Sequence, residues 1–225
     1  MSFSIGDIFR KLGSALGGGS EGSILGIDIG ASSAKIVQLR ASRGTAVLET
    51  YGEIALGPYG DVSVGKAVKL TPEKIAEALT DLMREANVTA RTAGLAVPFA
   101  SSIVSILDMP KVDNDALKRM IPIEARKYIP IPVTEVALDW FVIPKDDDDK
   151  SAFDQIEEPT PLQKKGQEVL LVAIHNDTLS NYQTIAKTSG LTVNFYEIEI
   201  FGAIRSSMGR GIAPSLVVDL GAATT

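Results

Sequence analysis

One pattern occurs twice in the sequence, near its two ends, and this repetition constrains the fold more than any other feature. In Ile27–Lys35 and again in Val218–Thr225, an apolar run is followed by an aspartate, one further residue, a glycine and then small or hydroxylated residues. Glycine and alanine let a backbone approach a ligand closely, so consecutive N–H groups can point at phosphate oxygens. Two copies, separated by a βαβ-sized body, predict two turns that face each other across a polyphosphate. A pair of ordinary strand turns is the alternative.

The positions in the two segments suit different parts of a nucleotide. Asp28 and Asp219, each held at a strand end, can bind Mg²⁺ directly or through water, because magnesium dehydrates reluctantly. Lys35 can neutralise charge on the terminal phosphates. The other predicted phosphate-binding residues are those of the two turns: Gly30, Ala31, Ser32, Ser33, Gly221, Ala222, Ala223, Thr224 and Thr225. The P-loop pattern G-x-x-x-x-G-K-[ST] does not occur, so a P-loop site is excluded.

Composition excludes several other classes of site. The chain has no cysteine, which removes disulfides, thiolate metal sites and cysteine nucleophiles. A single histidine, His175, cannot form a multi-histidine metal site, and its place after an apolar run indicates a strand end rather than a general base. The formal net charge is −6 and no dense basic cluster is present, so we expect no nucleic-acid partner.

The N-terminus carries an apolar stripe at near-helical spacing, between Phe3 and Leu16, followed by a glycine-rich tether. We predict a flexible segment over residues 1–22, and two interpretations stay open: a helix that docks on a partner or a membrane surface, and an extension without function. No run approaches the roughly 20 apolar residues of a membrane helix. We therefore expect no integral membrane segment.

Apolar periodicity, glycines and helix-start signals predict an α/β fold. The first group of elements is a hairpin, a strand, an amphipathic helix and a short strand: Ile24–Ile29 with Ala34–Arg40, Ala46–Ile54, Thr71–Asn87 and Ala93–Pro98. The second group has the order β-α-β-β-α-β, predicted as an α+β unit of its own: Ser101–Leu107, Asp113–Tyr128, Val136–Ile143, Val169–Ile174, Asp177–Lys187 and Leu191–Tyr196. A connecting helix, Glu199–Met208, and a last strand, Leu216–Leu220, complete the prediction.

Local signals fix the ends of several predicted helices. Thr71 is expected to cap the first helix, with Pro72 at its first position, and Asp113 to cap the second. Pro122 should kink or end that second helix. Between the two middle strands of the second group, Asp146–Asp149 is an acidic run that we expect to be solvated rather than to bind a cation.

The pair of hairpins resembles the two phosphate motifs of the superfamily that contains actin, DnaK-type chaperones and sugar kinases. Within it, the sequence resembles the PilM family, the actin-like proteins of type IV pilus assembly. The stretches that carry this resemblance are Leu25–Val37, Glu124–Pro130, Val136–Trp140, Tyr196–Glu199 and Val217–Thr225. They extend over the chain from about Ile24 onwards.

The resemblance implies an actin-like, ribonuclease-H-like lobe with an inserted β-α-β-β-α-β subdomain. The implied division is a first-lobe subdomain over residues 23–99 and 197–214, an inserted subdomain over 100–196, and the start of a second lobe over 215–225. The adenosine-binding glycines of the superfamily lie in that second lobe, which we expect to be missing or truncated here.

The resemblance also implies ATP and Mg²⁺ as cofactors and a scaffolding role in pilus biogenesis and twitching motility. Glu199 falls where DnaK-like relatives carry a glutamate that orients water or magnesium; a carboxylate placed there by the helix dipole is the equal alternative. Any hydrolysis should be slow, because no other general base is evident.

For partners, the resemblance implies the cytoplasmic N-terminal tail of a PilN-like inner-membrane protein, docked between the main lobe and the inserted subdomain. It also implies other pilus platform proteins and a cytoplasmic location, peripheral at the inner membrane, and leaves homo-oligomers open. The competing functions are an FtsA-like, membrane-tethered filament former and a small-molecule kinase of the same superfamily.

Overall fold

The computed structural model describes residues 22–43, 45–144, 166–207 and 216–223. These residues form two compact units, a smaller unit within Ile103–His175 and a larger unit made of the described residues on either side of it. Among the described residues, none of the helices combines the length and the apolar character that crossing a membrane requires. The predictions for residues 1–21, for Asp146–Asp149 and for Thr224 and Thr225 lie outside the described residues.

The described chain contains eight strands and four α-helices. The strands are β1 (Ser23–Ile29), β2 (Ser33–Ser42), β3 (Thr45–Ala55), β4 (Thr92–Val97), β5 (Ser102–Pro110), β6 (Val136–Val142), β7 (Gly166–His175) and β8 (Thr192–Ile198). The helices are α1 (Pro72–Glu85), α2 (Asn114–Glu124), α3 (Asn176–Thr188) and α4 (Glu199–Ser207). The predicted hairpin, third strand and connecting helix are confirmed by β1, β2, β3 and α4.

The larger unit is built on a five-stranded mixed sheet with the strand order β3-β2-β1-β4-β8. β1, β2 and β3 pair antiparallel, whereas β4 pairs parallel with β1 and β8 pairs parallel with β4. The carboxyl ends of β1, β4 and β8 therefore meet at one edge of the sheet. This edge is where the first aspartate of the repeated pattern lies.

The core of the larger unit contains alternate side chains of β1 and the apolar face of α1. Leu25 and Ile27 of β1 are buried, as are Leu79 and Leu82 of α1. The helix begins as predicted, because the Thr71 side chain accepts a hydrogen bond from the Lys74 N–H and a proline occupies the first position.

The buried amide of Gln38, on β2, ties the hairpin to the chain that leads into β4. Its Oε1 accepts hydrogen bonds from the N–H groups of Thr89 and Ala90, at 2.9 and 3.0 Å. Its Nε2 donates to Glu49 Oε2 and to Thr89 Oγ1, at 2.8 and 2.9 Å. All the hydrogen-bonding capacity of this side chain is thus used within the larger unit.

The smaller unit has a three-stranded sheet in the order β5-β7-β6, with β6 and β7 antiparallel. Leu107, Leu117, Ile121 and Leu171 are among the residues of its core, so α2 packs on this sheet. Asp113 caps α2 as predicted, with its Oδ1 accepting a hydrogen bond from Ala116 N–H at 2.7 Å. The helix ends two residues after its internal proline, at Glu124, and continues as a 3₁₀ turn.

The predicted β-α-β-β-α-β unit differs from the observed grouping in its last two elements. β8 does not join the small sheet but pairs with β4, from Thr92 opposite Thr192 to Val97 opposite Ile198. The Thr192 N–H also donates to the Arg91 carbonyl at 2.8 Å. β4 has a free edge, and α3 is the helical connection that lets β8 pair with this edge in parallel. The order of elements along the chain does not show which of the two sheets a strand will join.

The predicted last strand, Leu216–Leu220, is wrong for the described chain. This segment has no regular secondary structure, and its side chains are exposed, with Leu216 and Leu220 88% and 78% exposed. A strand requires a neighbour to satisfy its backbone hydrogen bonds, and no described strand pairs with these residues. The apolar pattern alone was therefore not sufficient to predict a strand in this segment.

Candidate functional site

The first predicted phosphate turn is a tight bend between β1 and β2 with well-defined hydrogen bonds. The Gly30 N–H donates to the Ser33 carbonyl at 2.9 Å, closing the turn. The carbonyls of Ala31 and Ser32 accept hydrogen bonds from Val68 and Leu56, at 3.0 and 2.9 Å. The connection between β3 and α1 thus fixes the orientation of both peptide groups.

The same turn leaves donors available. Within the described residues, the N–H groups of Ala31 and Ser32 and the hydroxyls of Ser32 and Ser33 have no hydrogen-bond partner. A Cβ added at Gly30 would lie 3.2 Å from the Ser33 carbonyl oxygen, so the bend favours glycine at that position. Successive unpaired N–H groups in a fixed turn can bind an anion.

Charges of both signs flank this turn. Asp28 on β1 lies directly opposite Lys35 on β2 in the register of the hairpin. Burial raises the pKa of the Asp28 carboxyl above its usual range; the Lys35 ammonium lowers this pKa, and the negative charge of Asp219 raises it further. The structure therefore brings Asp28, Lys35 and Asp219 close enough for their charges to interact.

The second predicted turn is described only in part. Residues 216–223 are exposed, with bends at Ala222 and Ala223. Asp219 is coupled electrostatically to the first turn, but the described contacts do not join Gly221, Ala222 or Ala223 to it. The placement of these three residues against a phosphate is therefore still a prediction.

Glu199 lies at the same edge of the sheet, as the first residue of α4. Its Oε1 accepts a hydrogen bond from the Phe99 N–H at 2.8 Å, which links the start of α4 to the chain that leaves β4. Within the next turns of α4, Arg205 forms an ion pair with both carboxylate oxygens of Glu197 on β8. These contacts fix where Glu199 stands relative to the carboxyl ends of β4 and β8.

Tyr182, on α3, belongs to this edge and was not predicted from the sequence. Its side chain is half-buried, and burial together with the negative charges of Asp28 and Glu199 raises its pKa. The phenol therefore lies within electrostatic range of both carboxylates. In the sequence, nothing distinguishes this tyrosine from any other tyrosine on an amphipathic helix. Its position could have been predicted only by placing α3 in the larger unit.

The acidic groups fit a hydrated magnesium ion better than a directly ligated one. No cluster of three or more His, Cys, Asp or Glu side chains that could hold a metal occurs among the described residues. Asp28 and Asp219 repel each other, and a cation between them would relieve both that repulsion and the cost of burying Asp28. Magnesium commonly keeps several waters and binds through one or two carboxylates and substrate phosphates.

A separate feature lies on the smaller unit. A surface depression of about 490 Å³ follows α2 and is lined by an apolar, proline-rich stretch with one arginine: Arg126, Ile129, Pro130, Ile131, Pro132, Val133 and Thr134. In the sequence this stretch is marked by the alternation of isoleucine and proline over residues 129–132.

Comparison with known proteins identifies relatives of this chain. A family model described as "Type IV pilus assembly protein PilM" matches residues 26–219. A solved structure described as the PilM-PilN type IV pilus biogenesis complex matches with 22% identity and a TM-score of 0.63, covering 83% of this chain and 49% of that chain. The cytoplasmic domain of EpsL, an inner-membrane component of the type II secretion system of Vibrio cholerae, matches with 12% identity and a TM-score of 0.47, covering 77% of this chain and 56% of that domain.

The family model and the PilM-PilN structure support different conclusions. At 22% identity, the match to the PilM-PilN structure shows a shared fold, and this chain spans about half the length of the chain that it matches there. The family model extends from β1 through Asp219 and so includes both units of the structure. The chain therefore belongs to the PilM family of type IV pilus assembly proteins.

Proposed function

We propose that this protein is an ATP-binding, actin-like scaffold of the type IV pilus assembly platform, located at the cytoplasmic face of the inner membrane. The observation that carries the proposal is the β1–β2 turn, where unpaired N–H groups lie beside Asp28 and Lys35 and within electrostatic reach of Asp219. This combination of fixed donors, one cation and two carboxylates suits a magnesium-bound polyphosphate. Membership of the PilM family supports the same function.

In this proposal, each group of the turn has a separate task. The N–H groups of Ala31 and Ser32 and the hydroxyls of Ser32 and Ser33 bind phosphate oxygens, and Lys35 neutralises the terminal phosphates. Asp28 and Asp219 hold the waters of Mg²⁺, which supplies the remaining positive charge. The second turn, from Gly221 through Thr225, binds the polyphosphate from its other side.

We expect hydrolysis to be slow. Glu199 is the predicted residue that could orient an attacking water, and one of its oxygens already accepts the Phe99 N–H. A carboxylate held in this way can position a water but is a weak general base. The bound nucleotide would then act mainly as a structural element that orders the protein for its partner.

The proposed partner is the cytoplasmic N-terminal tail of a PilN-like inner-membrane protein. Family membership supports this choice, and the related structure with the same fold is that of a PilM-PilN complex. Through this tail and further platform proteins the scaffold would connect the cytoplasmic motor to the membrane-embedded parts of the pilus machinery. Its absence should abolish piliation and twitching motility.

Calorimetric titration of the full-length protein with Mg·ATP tests the proposal. Asp28→Ala should weaken Mg·ATP binding by at least about tenfold, since it removes a magnesium-binding carboxylate. The matched control is Asp108→Ala, an exposed aspartate of β5 in the smaller unit, which should bind as the unsubstituted protein does.

Partner binding is tested with the same proteins and a synthetic PilN-like tail peptide. The tail should bind more tightly to the ATP-loaded protein than to the nucleotide-free one, and Asp28→Ala should remove this difference. Absence of ATP binding by the full-length protein would contradict the proposal, as would phosphate transfer to sugars at rates typical of a kinase.

A further inference from the structure

The carboxylate of Glu199 binds a backbone group that lies 100 positions earlier in the sequence. Its Oε1 accepts a hydrogen bond from the Phe99 N–H at 2.8 Å. Glu199 is half-buried and is the first residue of α4, where the helix dipole favours a negative charge. The contact is therefore made by a carboxylate that suits the helix end on which it stands.

The parallel pairing of β4 with β8 brings these two residues together. Val97 and Ile198 are the last residues of the two strands; they lie opposite each other and both are buried. Paired parallel strands run in the same direction, so their chains leave the sheet side by side. The turn that follows β4 and the helix that follows β8 therefore begin as neighbours.

The chain that leaves β4 leads into the smaller unit. A short 3₁₀ turn, Phe99–Ser101, follows the strand, and the smaller unit begins at Ile103. Within the described ranges, the chain passes between the two units at one further place, from His175 to Asn176. We call residues 98–102 the first crossing.

Hydrogen bonds hold the first crossing from within and from outside. The Ser101 N–H donates to the Pro98 carbonyl at 3.0 Å. The Ser102 hydroxyl donates to the Phe99 carbonyl at 2.8 Å. The N–H and the carbonyl of Phe99 are thus both used, and the bond to Glu199 ties the crossing to α4.

We propose that Glu199 is a positioning residue, whose carboxylate holds the first crossing against the start of α4 and thereby prepares the protein for its tail partner. Holding the crossing requires an acceptor at Oε1 and neither a negative charge nor a base. A partner that contacts both sides of a crossing binds more tightly when the crossing is already fixed, because less conformational entropy is lost on binding. The part that concerns the tail rests on the proposed function, whereas the hold on the crossing does not.

Hydrogen exchange followed by mass spectrometry tests the hold on the crossing, in the full-length protein without nucleotide or partner. Glu199→Gln keeps an oxygen that can accept the Phe99 N–H. Glu199→Ala removes the acceptor, and Glu199→Asp keeps the charge but is one methylene shorter. The loss of one hydrogen bond should speed exchange of residues 98–102 by about fivefold in the Ala and Asp variants, and the Gln variant should stay within about twofold of the unsubstituted protein.

Two comparisons make this result specific to the crossing. Glu85→Ala is the matched control, because Glu85 is 74% exposed at the end of α1 and its ion pair is with Arg84. Exchange within β1 should be the same in all variants. Unchanged exchange of the crossing in both the Ala and the Asp variant would overturn the inference, as would a Gln variant that exchanges as fast as they do. Faster exchange in β1 as well would indicate a general stabilising role and would overturn it too.

Titration with the PilN-like tail peptide in the presence of Mg·ATP tests the second part. Glu199→Ala and Glu199→Asp should weaken tail binding by about threefold or more, and Glu199→Gln should bind as the unsubstituted protein does. Equal tail affinities in all variants would overturn the role in partner binding. If the unsubstituted protein binds neither ATP nor the tail, the proposed function fails, while the exchange experiment still decides whether Glu199 holds the crossing.

Discussion

Replacing Gln38 by leucine should destabilise the larger unit, because this buried amide holds the β1–β2 hairpin against the chain that enters β4. The side chain is 3% exposed and makes four hydrogen bonds, of 2.8 to 3.0 Å. Leucine has a similar volume but cannot accept the two N–H groups of Thr89 and Ala90. Of these two residues, Ala90 is buried and Thr89 is exposed.

The magnitude follows from that difference in exposure. Leaving the buried Ala90 N–H without an acceptor costs about 1–3 kcal/mol, and losing the part-buried hydrogen bond that the Thr89 N–H donates costs about 0.5–1.5 kcal/mol. The added apolar burial of leucine offsets part of this, so we expect a net loss of roughly 2 kcal/mol. For a chain of this size that corresponds to a fall of about 4–8 °C in Tm.

Thermal and urea denaturation followed by circular dichroism measure this change. Gln183→Leu is the matched control, because Gln183 is exposed on α3 and forms none of these bonds. A Gln38→Leu variant as stable as the unsubstituted protein, or more stable, would refute the reasoning that the amide network anchors the hairpin.

Three further predictions test other parts of the structure. Because burial raises the pKa of Asp28, its charged form opposes folding at neutral pH and this cost disappears as pH falls below the ordinary range of an aspartate. Without nucleotide, Asp28→Asn should therefore raise Tm at pH 7 and give no gain in acid; a lower Tm at pH 7 would contradict this. Gly94→Ala would place a Cβ within 2.2 Å of the Phe195 ring and should cost about 1–3 kcal/mol in urea denaturation, with recovery on adding Phe195→Leu; no loss would show that the ring moves freely. Asp113→Ala should remove the cap of α2 and about 1 kcal/mol of unfolding free energy, whereas the exposed Asp115→Ala should cost much less; equal losses would argue against the cap.

Local signals in the sequence were sufficient to predict those features of the fold that depend on residues close together in the chain. The Thr71 and Asp113 caps and the β1–β2 hairpin are set by contacts only a few residues apart, and the structure confirms all three. The pairing of β8 with β4 joins residues about 100 positions apart, as Thr92 with Thr192, and no local pattern specifies it. For the same reason, the prediction that α3 and β8 belong to the second, smaller unit was wrong.

In the candidate site, too, features set by nearby residues could be predicted from the sequence and long-range features could not. Asp28, Gly30 and Lys35 belong to one hairpin, so their proximity could be predicted from spacing. Tyr182 comes within electrostatic range of Asp28 only because α3 belongs to the larger unit, and a single tyrosine carries no signal of this in the sequence. The opposite error occurred at Leu216–Leu220, where apolar residues suggested a strand although no described strand pairs with them.

In the proposed function, Asp28 and Asp219 share one magnesium ion across the nucleotide phosphates. A double-mutant cycle on Mg·ATP binding tests this directly, with Asp28→Asn, Asp219→Asn and the combined variant titrated with and without Mg²⁺. If the two carboxylates hold the same ion, each substitution weakens binding only when Mg²⁺ is present, and the losses are non-additive by about 0.5–3 kcal/mol. Independent, additive losses, or an Asp219→Asn variant that binds Mg·ATP normally, would contradict the shared site.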